Sequence, residues 1–231
     1  AQGANRIARL YHYKTRQAAM GSIAGYRWGE WGYQETPIHL RIGDRPEAQM
    51  WINHPGETLH GGFGRPSYWG GCGTLPRVQQ YRGLAVVLFN THDGQPDFTH
   101  AWLPQSAFDE RQIDAARILL RGGEGMVQLT GNRPFEVVDG GPTRECEVRL
   151  SGRETCWLIR LNDDPALTTL AQFASHFADL QVETRGDGTL HVRDANYGEV
   201  LFYADGRVQA QGRTLDPATW TVDGESRELT L

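Results

Sequence analysis

Lysine is almost absent from this chain: Lys14 is the only one among 23 basic residues, and no basic run tracks along the sequence. Such a run is the electrostatic footprint of a nucleic-acid binder, so nucleic acid is set aside as a partner. Cysteine is scarce as well. Cys72, Cys146 and Cys156 are odd in number and lack C-x-x-C spacing, which argues for free thiols over a disulfide framework or a thiolate zinc site. No apolar run approaches the ~20 residues of a membrane-spanning helix, and no cleavable signal peptide is visible. No membrane partner is therefore expected. The chain begins Ala1-Gln2-Gly3 rather than with Met, so a processed product or a piece of a longer exported protein, periplasmic or secreted, is the expectation. A tight metal-ligand motif is also missing. His54, His60, His92, Asp93 and His100 are the available ligands, yet no two have ligand spacing, and the expectation is no metal and no cofactor.

What is present is length, arginine and short β-type runs. A chain of 231 residues can bury a substantial core as one large or two small domains. Its formal charge of −5 is spread evenly, and its cations are arginines, which grip carboxylates bidentately. Runs rich in apolar residues near Ile7–Thr15, Thr36–Ile42, Ala48–Asn53, Leu84–Asn90, Phe98–Leu103, Ala116–Arg121, Met126–Thr130, Cys146–Leu150 and Thr155–Leu161 are punctuated by Gly, Pro, Asn and Asp. That pattern predicts an all-β fold, an antiparallel β-sandwich or supersandwich, over residues 1–163. Leu84–Phe89 is continuously apolar and reads as a strand covered on both faces. Asp164 as cap, Pro165 in the first turn, and Leu167, Leu170, Phe173 and Phe177 at helical spacing predict one short helix over 165–179. Turns at Gly186-Asp187-Gly188, Asn196-Tyr197-Gly198, Asp205-Gly206 and Asp223-Gly224 predict a small C-terminal β-meander, placing a second unit over 164–231.

Three clusters carry the side chains that do chemistry on sugars. The first is an aromatic belt in which Trp28 and Trp31 lie in the Gly-rich loop Gly25–Tyr33; these rings either wall a saccharide cleft or fill an interface. The second is Asn53-His54-Pro55-Gly56, at the end of the strand Met50-Trp51-Ile52, followed by Arg65, Tyr68 and Trp69. The third is Phe98-Thr99-His100-Ala101-Trp102, whose alternation puts Phe98, His100 and Trp102 on one face. His100 then lies in a cleft or, if that face is the core, serves as a hydrogen-bonded interior histidine. Cys72 sits in a glycine turn without a nucleophile elbow and reads as a buried thiol. The acids Glu30, Glu35, Glu57, Asp93, Asp97 and Asp109 do not single out a hydrolytic pair.

The runs Trp51–Gly56, Arg65–Arg77 and Phe98–Pro104 resemble the C-terminal β-sandwich region of large bacterial heparinase II/III-like polysaccharide lyases, over roughly residues 6 to 160. The resemblance implies β-elimination on uronic-acid polysaccharides, an acidic polysaccharide or oligosaccharide as ligand, and an N-terminal helical toroid as partner domain. Such a reaction neutralises the uronate carboxylate, for which Asn53 and Arg65 are candidates, and moves protons, for which His54, Tyr68 and His100 are candidates. Trp28, Trp31 and Trp69 would stack on sugar rings. This chain departs from the pattern in having a single convincing helix and no toroid. Two readings therefore stand: a lyase-like domain supplying one wall of a cleft, or a non-catalytic carbohydrate-binding or structural accessory domain.

Overall fold

The computed structural model describes residues 8–24, 26–58, 60–215, 219–222 and 225–228. Ile7, Gly25 and the Asp223-Gly224 turn lie outside the described residues. The strands are β1 (Arg9–Lys14), β2 (Ala18–Ala24), β3 (Ile38–Ile42), β4 (Gln49–Asn53), β5 (Arg77–Tyr81), β6 (Leu84–Asn90), β7 (Phe98–Trp102), β8 (Glu110–Ile113), β9 (Arg117–Gly122), β10 (Gly125–Gly131), β11 (Phe135–Val137), β12 (Glu147–Ser151) and β13 (Glu154–Leu161), then α1 (Leu170–His176) and β14 (Gln181–Thr184), β15 (Leu190–Asp194), β16 (Gly198–Phe202), β17 (Val208–Ala210), β18 (Arg213–Leu215), β19 (Thr219–Val222) and β20 (Glu225–Glu228). Two compact units emerge, the first ending at Ser175 and the second beginning at His176.

The first unit is a sandwich of two antiparallel sheets, ordered β1-β2-β3-β4-β7-β12-β11 and β5-β6-β13-β10-β9-β8. Period-two alternation builds it. In β3 the sequence Ile-His-Leu-Arg-Ile buries every apolar residue and exposes every polar one. The inward residues of the seven-stranded sheet include Met20, Leu40, Met50, Ile52, Ala101, Val148 and Leu150. They share one core with Val87, Phe89, Ile118, Leu120, Leu129, Trp157 and Ile159 of the six-stranded sheet. β6 is an interior strand between β5 and β13, and the residues of its apolar run are almost all buried.

Four strands of this unit carry weak sequence signals: β2, β5, β8 and β11. β2 reads Ala-Ala-Met-Gly-Ser-Ile-Ala and β5 reads Arg-Val-Gln-Gln-Tyr, neither rich in the branched and aromatic residues that mark a strand. Pairing across the core supplies what propensity lacks, since the buried Ser22 hydroxyl donates to Gln80 Oε1 at 2.6 Å.

The helix is shorter than its periodicity predicts. Asp164 caps only a turn, accepting from the Ala166 amide at 2.9 Å. The helix proper opens on a reciprocal capping box: Thr169 Oγ1 accepts from the Gln172 amide, and Gln172 Oε1 accepts from the Thr169 amide. Thr169-x-x-Gln172 outcompetes Asp164-Pro165 because it satisfies two orphan amides at once. In the second unit β14 to β18 form a meander with every neighbour antiparallel, and Leu190, Val192, Val200, Phe202, Val208 and Ala210 make its buried apolar face.

Candidate functional site

The outward face of the seven-stranded sheet follows directly from strand parity. With the apolar partners turned inward, Trp51 and Asn53 of β4, Phe98, His100 and Trp102 of β7, and Glu147 and Arg149 of β12 point out. The register sets Trp51 against Trp102 and Asn53 against His100, then Trp102 against Glu147 and His100 against Arg149. Residues 54–58 and 60–74 belong to the connection from β4 to β5, and Tyr68 and Trp69 cross this face. The base of the connection is clamped by Asn53, whose Nδ2 donates to the Gly71 carbonyl at 2.6 Å, and by the Gly73 amide donating to the His54 carbonyl at 2.9 Å. Trp69 thereby lies flat on His100, with ring centres 3.9 Å apart and 7° between planes. Trp51 stacks on Trp102 at 5.5 Å, and Trp69 meets both edge-on.

Beneath these rings lies a buried charged network centred on Glu147. Its Oε1 accepts from Tyr68 Oη at 2.7 Å, His100 Nδ1 at 3.0 Å and Arg149 Nε at 2.6 Å, while Arg149 Nη2 donates to Tyr68 Oη at 2.6 Å. Burial by itself would raise the Glu147 pKa. The hydrogen bonds from His100, Arg149, Thr143 and Tyr68 reverse that and hold it down at about 2. Glu147 is thus a carboxylate, and the His100 proton it receives sits on Nδ1. Burial pushes the His100 pKa down against the pull of Glu147, so the ring is neutral. Burial and the adjacent carboxylate push the Tyr68 phenol well above its ordinary range. A phenol so held donates a proton but does not act as a base near neutrality. Arg149 alone in this group reaches solvent, with 31 % of its side chain exposed and its guanidinium 4.3 Å over the Phe98 ring.

His54 lies apart from this network. It points to the opposite side of its strand and is fully buried, its Nε2–H donating to the Pro96 carbonyl at 2.7 Å and its Nδ1 accepting from the Thr74 amide at 3.0 Å. Both nitrogens are committed, and burial lowers its pKa to about 4. Asn53, also buried, spends its amide on the loop clamp.

Trp28, Trp31 and Arg65 are on the surface. Trp28 and Trp31 are each about half exposed, at 51 % and 54 %, with Tyr33 at 50 %, and Arg65 hydrogen-bonds the Tyr33 side chain. The backbone under these rings is pinned. Gly29 N donates to the Leu75 carbonyl and Leu75 N to the Glu30 carbonyl, each at 2.9 Å, and Trp31 bridges to Thr74. Gly32 must be glycine, because a Cβ there would fall 2.3 Å from the Cys72 carbonyl oxygen. His92 Nε2 donates to the Gly29 carbonyl at 2.7 Å.

The structure therefore gathers Asn53, Tyr68, Trp69 and His100 at one place, holds Trp28, Trp31 and Arg65 at the surface, and sets His54 in the loop base. Sequence reasoning passes over Glu147 and Arg149, which hold the first group together, whereas Tyr33, which joins the second, belongs to the aromatic loop that the sequence singles out. A signal for the first two does exist: Glu147-Val148-Arg149 puts two opposite charges at i and i+2 of an otherwise apolar strand, hence on one face. Compared with known proteins, the chain matches no family model, no curated protein and no solved structure.

Proposed function

We propose that this sandwich is a saccharide-binding domain of a larger polysaccharide lyase-like enzyme, offering a rigid aromatic wall to an acidic polysaccharide. One observation carries the reading. The rings that suit a uronate chain, Trp28, Trp31 and Tyr33, are accessible on a loop whose backbone is hydrogen-bonded in place, and the exposed Arg65, from the connection between β4 and β5, hydrogen-bonds the Tyr33 side chain. Aromatic faces held rigid bind sugar rings without losing much conformational entropy, and an arginine beside them supplies a partner for the uronate carboxylate. Affinity electrophoresis or calorimetry with a galacturonate or glucuronate oligosaccharide tests this. Binding lost in Trp28→Ala/Trp31→Ala, with the unfolding midpoint unchanged, supports the proposal. Undiminished binding by that variant sinks it.

A catalytic reading has its own observation in its favour: Tyr68, His100 and Arg149 converge on Glu147, and Arg149 reaches solvent. In such a reaction Arg149 would neutralise the uronate, the neutral His100 would take the C5 proton as the C4–C5 double bond forms, and Tyr68 would donate the proton to the leaving oxygen. Ultraviolet absorbance of the unsaturated product, measured with the chain joined to its toroid partner, separates the readings. Tyr68→Phe abolishes that signal if Tyr68 is the acid and leaves it intact if the network only braces the wall.

A further inference from the structure

The same outer sheet face carries a groove of roughly 440 Å³ over β1, β2 and β3, within the range of about 300–1,000 Å³ typical of small-molecule sites. Its construction follows from the register. One rung reads His12, Gly21, His39 and the next reads Lys14, Ala19, Arg41. Ala19 and Gly21 make a low floor between two taller rows. A Cβ on Gly21 would come within 3.0 Å of His12 Nδ1, so glycine is what leaves the floor open.

The rim is basic and the lining holds no Asp or Glu. Lys14 and Arg41 are exposed and stand on either side of Ala19. Neither has a carboxylate partner among the described residues; Arg41 Nη2 donates only to the Asp44 backbone carbonyl, at 3.0 Å. Three other arginines of the first unit do have acid partners: Arg45 pairs with Asp109, Arg121 with Glu110 and Arg153 with Asp93. On a chain of net charge −5, two neighbouring cations left without acids leave a local site for an anion. His39 carries the groove onward, since its ring lies 6.3 Å from Trp51, which stacks on Trp102.

We infer that this groove is a second subsite, taking one acidic sugar of a chain. The C–H face of the ring rests on Ala19 and Gly21, its carboxylate or sulfate lies between Lys14 and Arg41, and the next sugar reaches His39 and Trp51. The saccharide part rests on the function proposed above. The anion part rests on Lys14 and Arg41 alone.

Amide and indole NMR shifts of the full chain, titrated with a galacturonate oligosaccharide, an uncharged galactose oligosaccharide of equal length, inorganic sulfate and a short single-stranded oligonucleotide, test it. The galacturonate chain is expected to shift Ala19, Gly21 and His39. Lys14→Gln/Arg41→Gln, at exposed positions, should weaken that response by roughly tenfold, and Gly21→Val, which fills the floor with a residue suited to a strand, should abolish it. An equal response to the uncharged chain, or a tighter one to the oligonucleotide, overturns the inference. If only the Trp28 and Trp31 indoles respond, the groove is refuted and the function proposed above survives. If sulfate alone reproduces every groove shift while the sugar adds nothing, the saccharide assignment falls.

Discussion

Residues 26–35 and residues 54–74 look alike as sequence: both mix tryptophan, tyrosine and arginine with glycine, and both leave the sandwich as long connections from a strand end. Their fates differ. Over 66–71 the chain lies down on an outer sheet face that already presents His100, Glu147 and Arg149, so Tyr68 is drawn into hydrogen bonds and Trp69 onto a ring. Over 26–35 the backbone is hydrogen-bonded to Leu75 and bridged to Thr74, while Trp28, Trp31 and Tyr33 stay half exposed. Composition selected neither outcome. What the neighbouring strand offers, a polar network or a hydrogen-bonding backbone, decides whether an aromatic loop becomes interior or surface.

The largest effect that would break this comparison lies at Glu147. Glu147→Ala strips Tyr68, His100 and Arg149 of their shared buried acceptor and should cost about 3–5 kcal/mol, read as a lowered urea midpoint. A loss no larger than that of an ordinary surface substitution would mean that the loop is not anchored through this carboxylate.

Acid titration sharpens the same contrast. His54 has a folded pKa of about 4 against the ordinary histidine value of 6.5, so between those values the unfolded chain takes up a proton that the folded chain refuses. Stability is full above pH 6.5 and falls as pH drops toward about 4, by about 3 kcal/mol in all. Glu147, held at about 2 against an ordinary 4.5, adds a second loss between those two values. Unfolding free energy measured against pH should fall more steeply across the upper window in the parent than in His54→Ala, where buried His100, lowered in the same direction, still contributes.

The exposed loop should behave oppositely. Trp28→Ala/Trp31→Ala should move stability by under about 0.5 kcal/mol while weakening uronate oligosaccharide binding by roughly tenfold or more; calorimetry and thermal unfolding on one sample read both. Smallest is Arg65→Gln, expected to weaken binding only a few-fold and to reduce its salt dependence. Equal salt dependence in parent and variant would remove Arg65 from the contact.

Much of this is legible in the sequence where the physics is local. The strands of the core announce themselves by alternation, as in Ile38–Ile42 and Phe98–Trp102, because a pleated chain turns successive side chains to opposite faces. The same rule puts Phe98, His100 and Trp102 together on one face. β2 and β5 are not legible, since Ala, Gly, Ser and Gln acquire their strand only from partners distant in sequence. The helix start is readable in Thr169-x-x-Gln172 but is masked by the competing Asp164-Pro165 signal.

The candidate site divides along the same line. Sequence by itself determined an all-β chain with inward and outward sheet faces, and it brought Tyr68, Trp69 and His100 to notice by residue type. Only the tertiary structure joined them to Glu147 and Arg149, sent His54 to Pro96 and Thr74, and left Lys14 and Arg41 without acids. The reason is range: alternation and capping act over a few residues, whereas the Tyr68–Glu147 hydrogen bond joins positions 79 residues apart. A protonation state or an exposed cation is decided by whatever the fold brings within a few ångströms.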